Sequence, residues 1–180
     1  MLKLVTERNK KEKIKQYTKD LNILRSMLAD AETHGGASGK NVVKRYRIDY
    51  EYIIELDAID ILFYITRVEE FYNKDFYTLS EEEQQKILSK VLTSEVMQKA
   101  SVHYLGWLFS LYADYMTDKQ LEDLSAVWMR KAHDNFVVYR VLATKLFELG
   151  KDSILQTVLL TIEEKFGSNA SKEIKENLTK

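Results

Sequence analysis

The stretch KNVVKRYR, residues 40–47, places four cations (Lys40, Lys44, Arg45 and Arg47) around one aromatic, Tyr46. Cations that contact phosphates beside a ring that stacks on bases suit nucleic acid, and the same charge suits an acidic protein partner. A second basic run opens the chain: residues 1–20 hold seven Lys or Arg against three acids, with Lys10, Lys11, Lys13 and Lys15 as its candidate contacts. An antiparallel helical hairpin is expected to leave the two runs near opposite ends, which weakens a shared patch.

Leading into the first of these runs, and sharing Lys40 and Asn41 with it, is THGGASGKN, residues 33–41, with three of the six glycines. A phosphate-binding loop requires Gly, four residues, then Gly-Lys-Ser/Thr after a strand. Here His34 stands where the first glycine belongs, Asn41 where the hydroxyl belongs, and a helical pattern precedes the stretch. No nucleotide or other cofactor is expected. The composition is instead that of a flexible connection, native or engineered, with Asn41 as a cap for the second helix.

The histidines (His34, His103 and His133) are too dispersed to form a metal set by local spacing, and no HExxH-like partner is read for any of them. His103, among Val102, Tyr104 and Leu105, reads as a core histidine, and Asp134 after His133 as a helix cap. Four acids, Glu51, Glu55, Asp57 and Asp60, interrupt an otherwise apolar run from Tyr50 to Ile65. Glu51 and Glu55 lie one turn apart and would perturb each other if buried. Exposure, or pairing with Lys and Arg of the first helix, is the simpler expectation. No catalytic or metal site is expected.

Composition bounds the elements that carry these groups. With 45% hydrophobic residues in 180, the chain suits one domain, 1–180, and its net charge of -1 gives no global pull toward nucleic acid or membrane. There is no cysteine, which removes thiolate chemistry, and no proline, which favours uninterrupted helices. No run of about 18 apolar residues exists to span a bilayer. The expected setting is intracellular, cytoplasmic or nuclear.

Apolar residues at Ile14, Tyr17, Leu21, Leu24, Leu28 and Ala31 form one helical stripe. From Val42 to Tyr72, apolar residues occupy two faces, predicting an interior helix, although VVKRYRI could open as a short strand. The N-terminal hairpin therefore covers 13–72, with its glycine-rich connection at 33–41. Capping boxes are read at Ser80/Glu83, Thr117/Gln120 and Ser153/Gln156, spaced 37 and 36 residues apart. Ser94 and Asp134 are candidate caps for second helices, Gly150 and Gly167 candidate terminators, and 168–180 a polar tail.

A helix-turn-helix period near 37 suggests an α-solenoid. Asp134, Val138, Arg140, Ala143, Leu146 and Gly150, and separately Val96, Lys99, Ala100, Leu105 and Gly106, loosely follow the second-helix pattern of HEAT or armadillo repeats. Over roughly 80–166 the chain resembles that family, without its first-helix proline. The expected fold is all-α: an N-terminal helical hairpin packed on about three stacked helical hairpins over 78–167, as a short α-solenoid or an irregular bundle. Such a surface implies non-catalytic binding of another protein, as adaptor, scaffold or complex subunit, with nucleic-acid binding through the basic runs as the alternative.

Overall fold

A computed structural model describes residues 2–35 and 37–178, except for the side chains of 2–5 and 37–38. The protein is all-α, and no strand occurs among the described residues. The chain divides into two compact units, Met1–Val96 and Met97–Lys180, with the division inside a helix of the 78–167 stretch.

The first unit opens with α1 (Leu2–His34), followed by α2 (Ala37–Arg45), α3 (Tyr50–Ile53) and α4 (Ala58–Arg67). The α1 stripe is as expected: Leu21, Leu24, Leu28 and Ala31 are buried, with Ile14 and Tyr17 half-buried. The glycine-rich stretch is not a nine-residue loop. Thr33 and His34 belong to α1, Ala37 to Asn41 belong to α2, and Gly35 takes the positive φ of +75° that the reversal requires. Helix formation here follows from packing: a Cβ on Gly39 would lie 2.9 Å from the Met27 carbonyl oxygen, so the small residue lets α2 close onto α1.

Nor is the return a single helix over 42–72. The chain from α2 to Glu55 runs antiparallel along α1, marked by Tyr46 to Asp20 and Lys10 to Glu55, and then turns so that α4 runs parallel to α1. Arg25 pairs with Asp60 and Glu32 with Arg67, both across 35 residues. The breaks are extended at Asp49 (φ -67°, ψ 145°) and Asp57 (φ -64°, ψ 145°), the N-cap positions of α3 and α4. In the first break the Ile48 N–H donates to the Tyr64 hydroxyl at 2.9 Å, so this buried backbone group is satisfied without a strand partner. Asp60 to Thr66 of α4 are buried without interruption, as its two-sided pattern predicts. A π-helical turn (Phe71–Asp75) and a 3₁₀ turn (Phe76–Thr78) come next, and Phe71 packs against Tyr64 and Phe76 at 5.1 and 5.9 Å between ring centroids. Then come α5 (Glu81–Val91) and α6 (Ser94–Lys99), within which the units divide.

The second unit holds α7 (Val102–Tyr112), a 3₁₀ turn (Ala113–Tyr115), α8 (Asp118–Ala132), α9 (Phe136–Glu148), α10 (Asp152–Phe166) and α11 (Ser168–Leu178). Each of α7 to α10 packs on the next, and α9 also touches α11. The 168–180 stretch is thus a helix through Leu178: Ser171 and Ile174, three apart, are buried on one face.

Both halves of the Ser80/Glu83 and Thr117/Gln120 boxes are formed. Ser153 is not the cap of its helix. Gly150, at φ +65°, ends α9 with the Lys151 N–H on the Leu146 carbonyl at 2.9 Å, and Lys151 then stands directly at the N-cap of α10. Thr93 caps α6 in place of Ser94, and Asn135 caps α9 in place of Asp134. The second-helix positions Val96 to Gly106 do not share one helix: the chain breaks at Ala100, and Ser101 accepts from the Tyr104 N–H to start α7.

One contact recurs. Lys90, Lys131 and Lys165 are each the next-to-last residue of α5, α8 and α10. Each donates to backbone carbonyls 31–36 residues earlier: Lys90 to Ile54, Lys131 to Gln98 and Ala100, and Lys165 to His133. These carbonyls lie at or just beyond the ends of α3, α6 and α8, where a helix leaves acceptors unpaired and a cation is favoured.

Candidate functional site

The basic residues separate into engaged and open groups. Lys10 pairs with Glu55 at 3.0 Å, Lys44 with Glu69 at 3.0 Å and Arg47 with Asp75 at 3.1 Å. Lys13 sits 4.2 Å from the centroid of the Tyr52 ring, and the Tyr52 hydroxyl holds its ammonium above the ordinary lysine range. The Tyr46 hydroxyl donates to Asp20 at 2.8 Å, and burial followed by that carboxylate pushes its phenol well above the usual value. Its ring meets Tyr17 edge-on at 6.5 Å, so Tyr46 is a packing residue rather than an open stacking platform. Lys11, Lys15, Lys40 and Arg45 are exposed and make no ion pair among the described residues. Through Tyr46 the second run reaches Tyr17 and Asp20 of α1.

The acids of 50–65 do not form a coupled pair. Glu51 and Asp57 are exposed, Glu55 is held below its ordinary pKa by the Lys10 ammonium, and Asp60 is buried against Arg25 at 3.0 Å. The guanidinium of Arg25 also lies 4.8 Å from the Phe63 ring centroid. His103 is exposed beside Trp107, not in the core. His133 ends α8 at φ +49°, and its carbonyl accepts from Tyr139 at 2.9 Å. His34 has a partner that the histidine spacing did not flag: Asp30, one turn earlier, at 2.9 Å. No group of three or more His, Asp or Glu side chains able to hold a metal ion occurs among the described residues. No described helix is long and apolar enough to cross a membrane.

Two grooves mark the second unit. Between α8 and α10 a cavity of about 330 Å³ is lined by Ser125, Met129, Ile154 and Val158, and its rim charges pair among themselves: Lys119 with Glu122 and Asp123, Asp118 with Lys151. Between α7 and α9 a cavity of about 320 Å³ has Phe109 as its buried floor and Val141, Thr144 and Glu148 on its α9 wall. Lys145 of that wall is taken by Asp114 at 2.8 Å. Arg140 and Glu148 are exposed and make no ion pair among the described residues. Around this groove α9 leaves Val137 54% exposed, Val141 37% and Phe147 44%.

This surface was missed from sequence. Its signal was present in FVVYRVLATKLFE, which carries apolar residues on more of its circumference than one core contact uses. No family model, curated protein or solved structure matches the chain.

Proposed function

We propose that the chain is a non-catalytic protein-binding module, built from stacked helical hairpins and working as an adaptor or complex subunit through the outer face of α9. The observation that carries this reading is the solvent-open strip of Val137, Val141 and Phe147 beside the α7–α9 groove, flanked by an open cation and an open acid. Contiguous exposed apolar surface rimmed by polar groups is what protein interfaces use. The lysine contacts repeated at 31–36 residues, one within the first unit and two within the second, support the repeat reading.

The test is affinity capture from lysate of the source cells with the wild-type chain and with Val137→Asp/Val141→Asp, each with and without nuclease. Both substitutions are on exposed positions and should leave the helical circular dichroism unchanged. The expected result is a protein recovered by the wild type after nuclease and lost by the variant. Equal recovery by both overturns the role of α9.

The second reading, nucleic-acid binding, draws on the open cations Lys11, Lys15, Lys40 and Arg45. It competes with the engagement of Lys10, Lys44 and Arg47 by carboxylates. Recovery that collapses on nuclease, and affinity that falls steeply with salt, would favour it.

A further inference from the structure

We infer that the partner of the α9 face is a second copy of this chain, docked so that the two α9 helices run antiparallel about a two-fold axis at Thr144. This inference rests on the reading of α9 as a binding surface and adds what occupies it. The ground is self-complementarity. Arg140 lies four residues before Thr144 and Glu148 four residues after it, about 6 Å along the helix on either side. An antiparallel pairing centred on Thr144 therefore sets Arg140 of each copy level with Glu148 of the other.

The same register sets Val141 level with Phe147 of the other copy. Both are exposed apolar side chains, 37% and 44%, on a helix whose remaining core residues (Val138, Tyr139, Leu142, Ala143 and Leu146) are already buried within the unit. One placement thus closes two ion pairs, with Val141 and Phe147 lining the opposite edges of the same seam. A two-fold interface needs a patch in which residue i meets j and j meets i. Parallel pairing would instead set Arg140 against Arg140 and Glu148 against Glu148, and the like charges would oppose it.

The alternative groove, between α8 and α10, lacks this property because its cations and acids neutralise each other. On α9 the ion pair formed among the described residues, Lys145 with Asp114, leaves Arg140 and Glu148 to an outside partner. A contact of one helix on another is smaller than a standard interface, so a reversible dimer with a dissociation constant on the order of micromolar is expected.

The experiment is sedimentation equilibrium of the full chain from about 1 to 500 μM, on the wild type, Arg140→Glu, Glu148→Arg and the charge-swapped double variant R140E/E148R. Each single change acts twice in the dimer and should weaken association by at least about tenfold. The double variant should restore it to near wild-type strength, which a merely structural effect on either residue would not do. A wild type that remains monomeric throughout overturns the inference, as does a dimer indifferent to both single changes or a double variant as weak as the singles. A monomeric wild type whose captured protein is nonetheless lost in Val137→Asp/Val141→Asp would leave the binding role of α9 standing without the second copy.

Discussion

At Asp60 the chain sets an acid inside an apolar helix, and its stability there depends on one guanidinium from 35 residues away. Asp60→Ala removes the only acid that pairs with Arg25 among the described residues and leaves a half-buried cation against Phe63. The expected cost is about 1.5–3 kcal/mol in chemical denaturation, whereas Lys10→Ala, which opens an exposed pair, should cost under about 1 kcal/mol. If both changes cost the same, burial is not what distinguishes them. His133 presents the opposite case: a β-carbon at φ +49° is held in a region that glycine tolerates, while the Tyr139 hydroxyl bonds its main-chain carbonyl and not its ring. His133→Gly should therefore raise the melting temperature, by the equivalent of about 0.5–1 kcal/mol after the added freedom of the unfolded chain is subtracted. Gly106 lies where a Cβ would come within 2.9 Å of the buried Trp128 ring, so Gly106→Ala is expected to lose about 1–3 kcal/mol through overpacking. Of these features only the Asp60 pairing was legible beforehand. An acid in an apolar run asks for a nearby cation, but a strained φ and a close ring contact have no local sequence signature.

Among the elements, the helix starts test how far a capping pattern can be trusted. Ser80→Ala and Thr117→Ala each break a complete capping box and should cost about 1 kcal/mol, whereas Ser153→Ala should be neutral within about 0.5 kcal/mol because Lys151 holds that N-cap. A loss at Ser153 equal to the others would mean that α10 begins later than Asp152. The helical stripes of α1 and α4 were readable because burial imposes their period. The breaks at Tyr46–Asp49 and Ile54–Asp57 were not, since no proline or glycine marks them. They are fixed instead by tertiary groups, such as the Tyr64 hydroxyl that receives the Ile48 N–H and the Lys90 ammonium on the Ile54 carbonyl. The glycine-rich stretch misled for the same reason. Glycine at 39 answers the proximity of α1, which only the folded chain supplies.

Across the molecule, charge is distributed as local pairs, and several of the candidate contact cations belong to that network. The engaged ones, Lys10, Lys44 and Arg47, have acids that are distant in sequence, so their engagement was not readable, while the open face of α9 was readable only as surplus apolarity. Alkaline pH should expose one global consequence. Burial raises the Tyr46 and Tyr64 phenols above the ordinary value near 10, so the folded chain holds protons that the unfolded chain releases. Their contribution is complete below about pH 10 and is lost as pH rises through the folded values. Urea midpoints should fall as pH rises above about 10, and Tyr46→Phe should flatten that decline, whereas an equal slope in the variant would exclude Tyr46 as a source. The helix-end lysines carry a different consequence, a map of chemical reactivity. A half-buried amino group held against main-chain carbonyls is poorly accessible to reagents, so under brief treatment with an acetylating reagent Lys90 and Lys131 should stay largely unmodified while the exposed Lys11, Lys15 and Lys40 are consumed. Once forced to react, they should take the helix junctions with them, turning a surface-labelling experiment into a footprint of how one hairpin is fastened to the next.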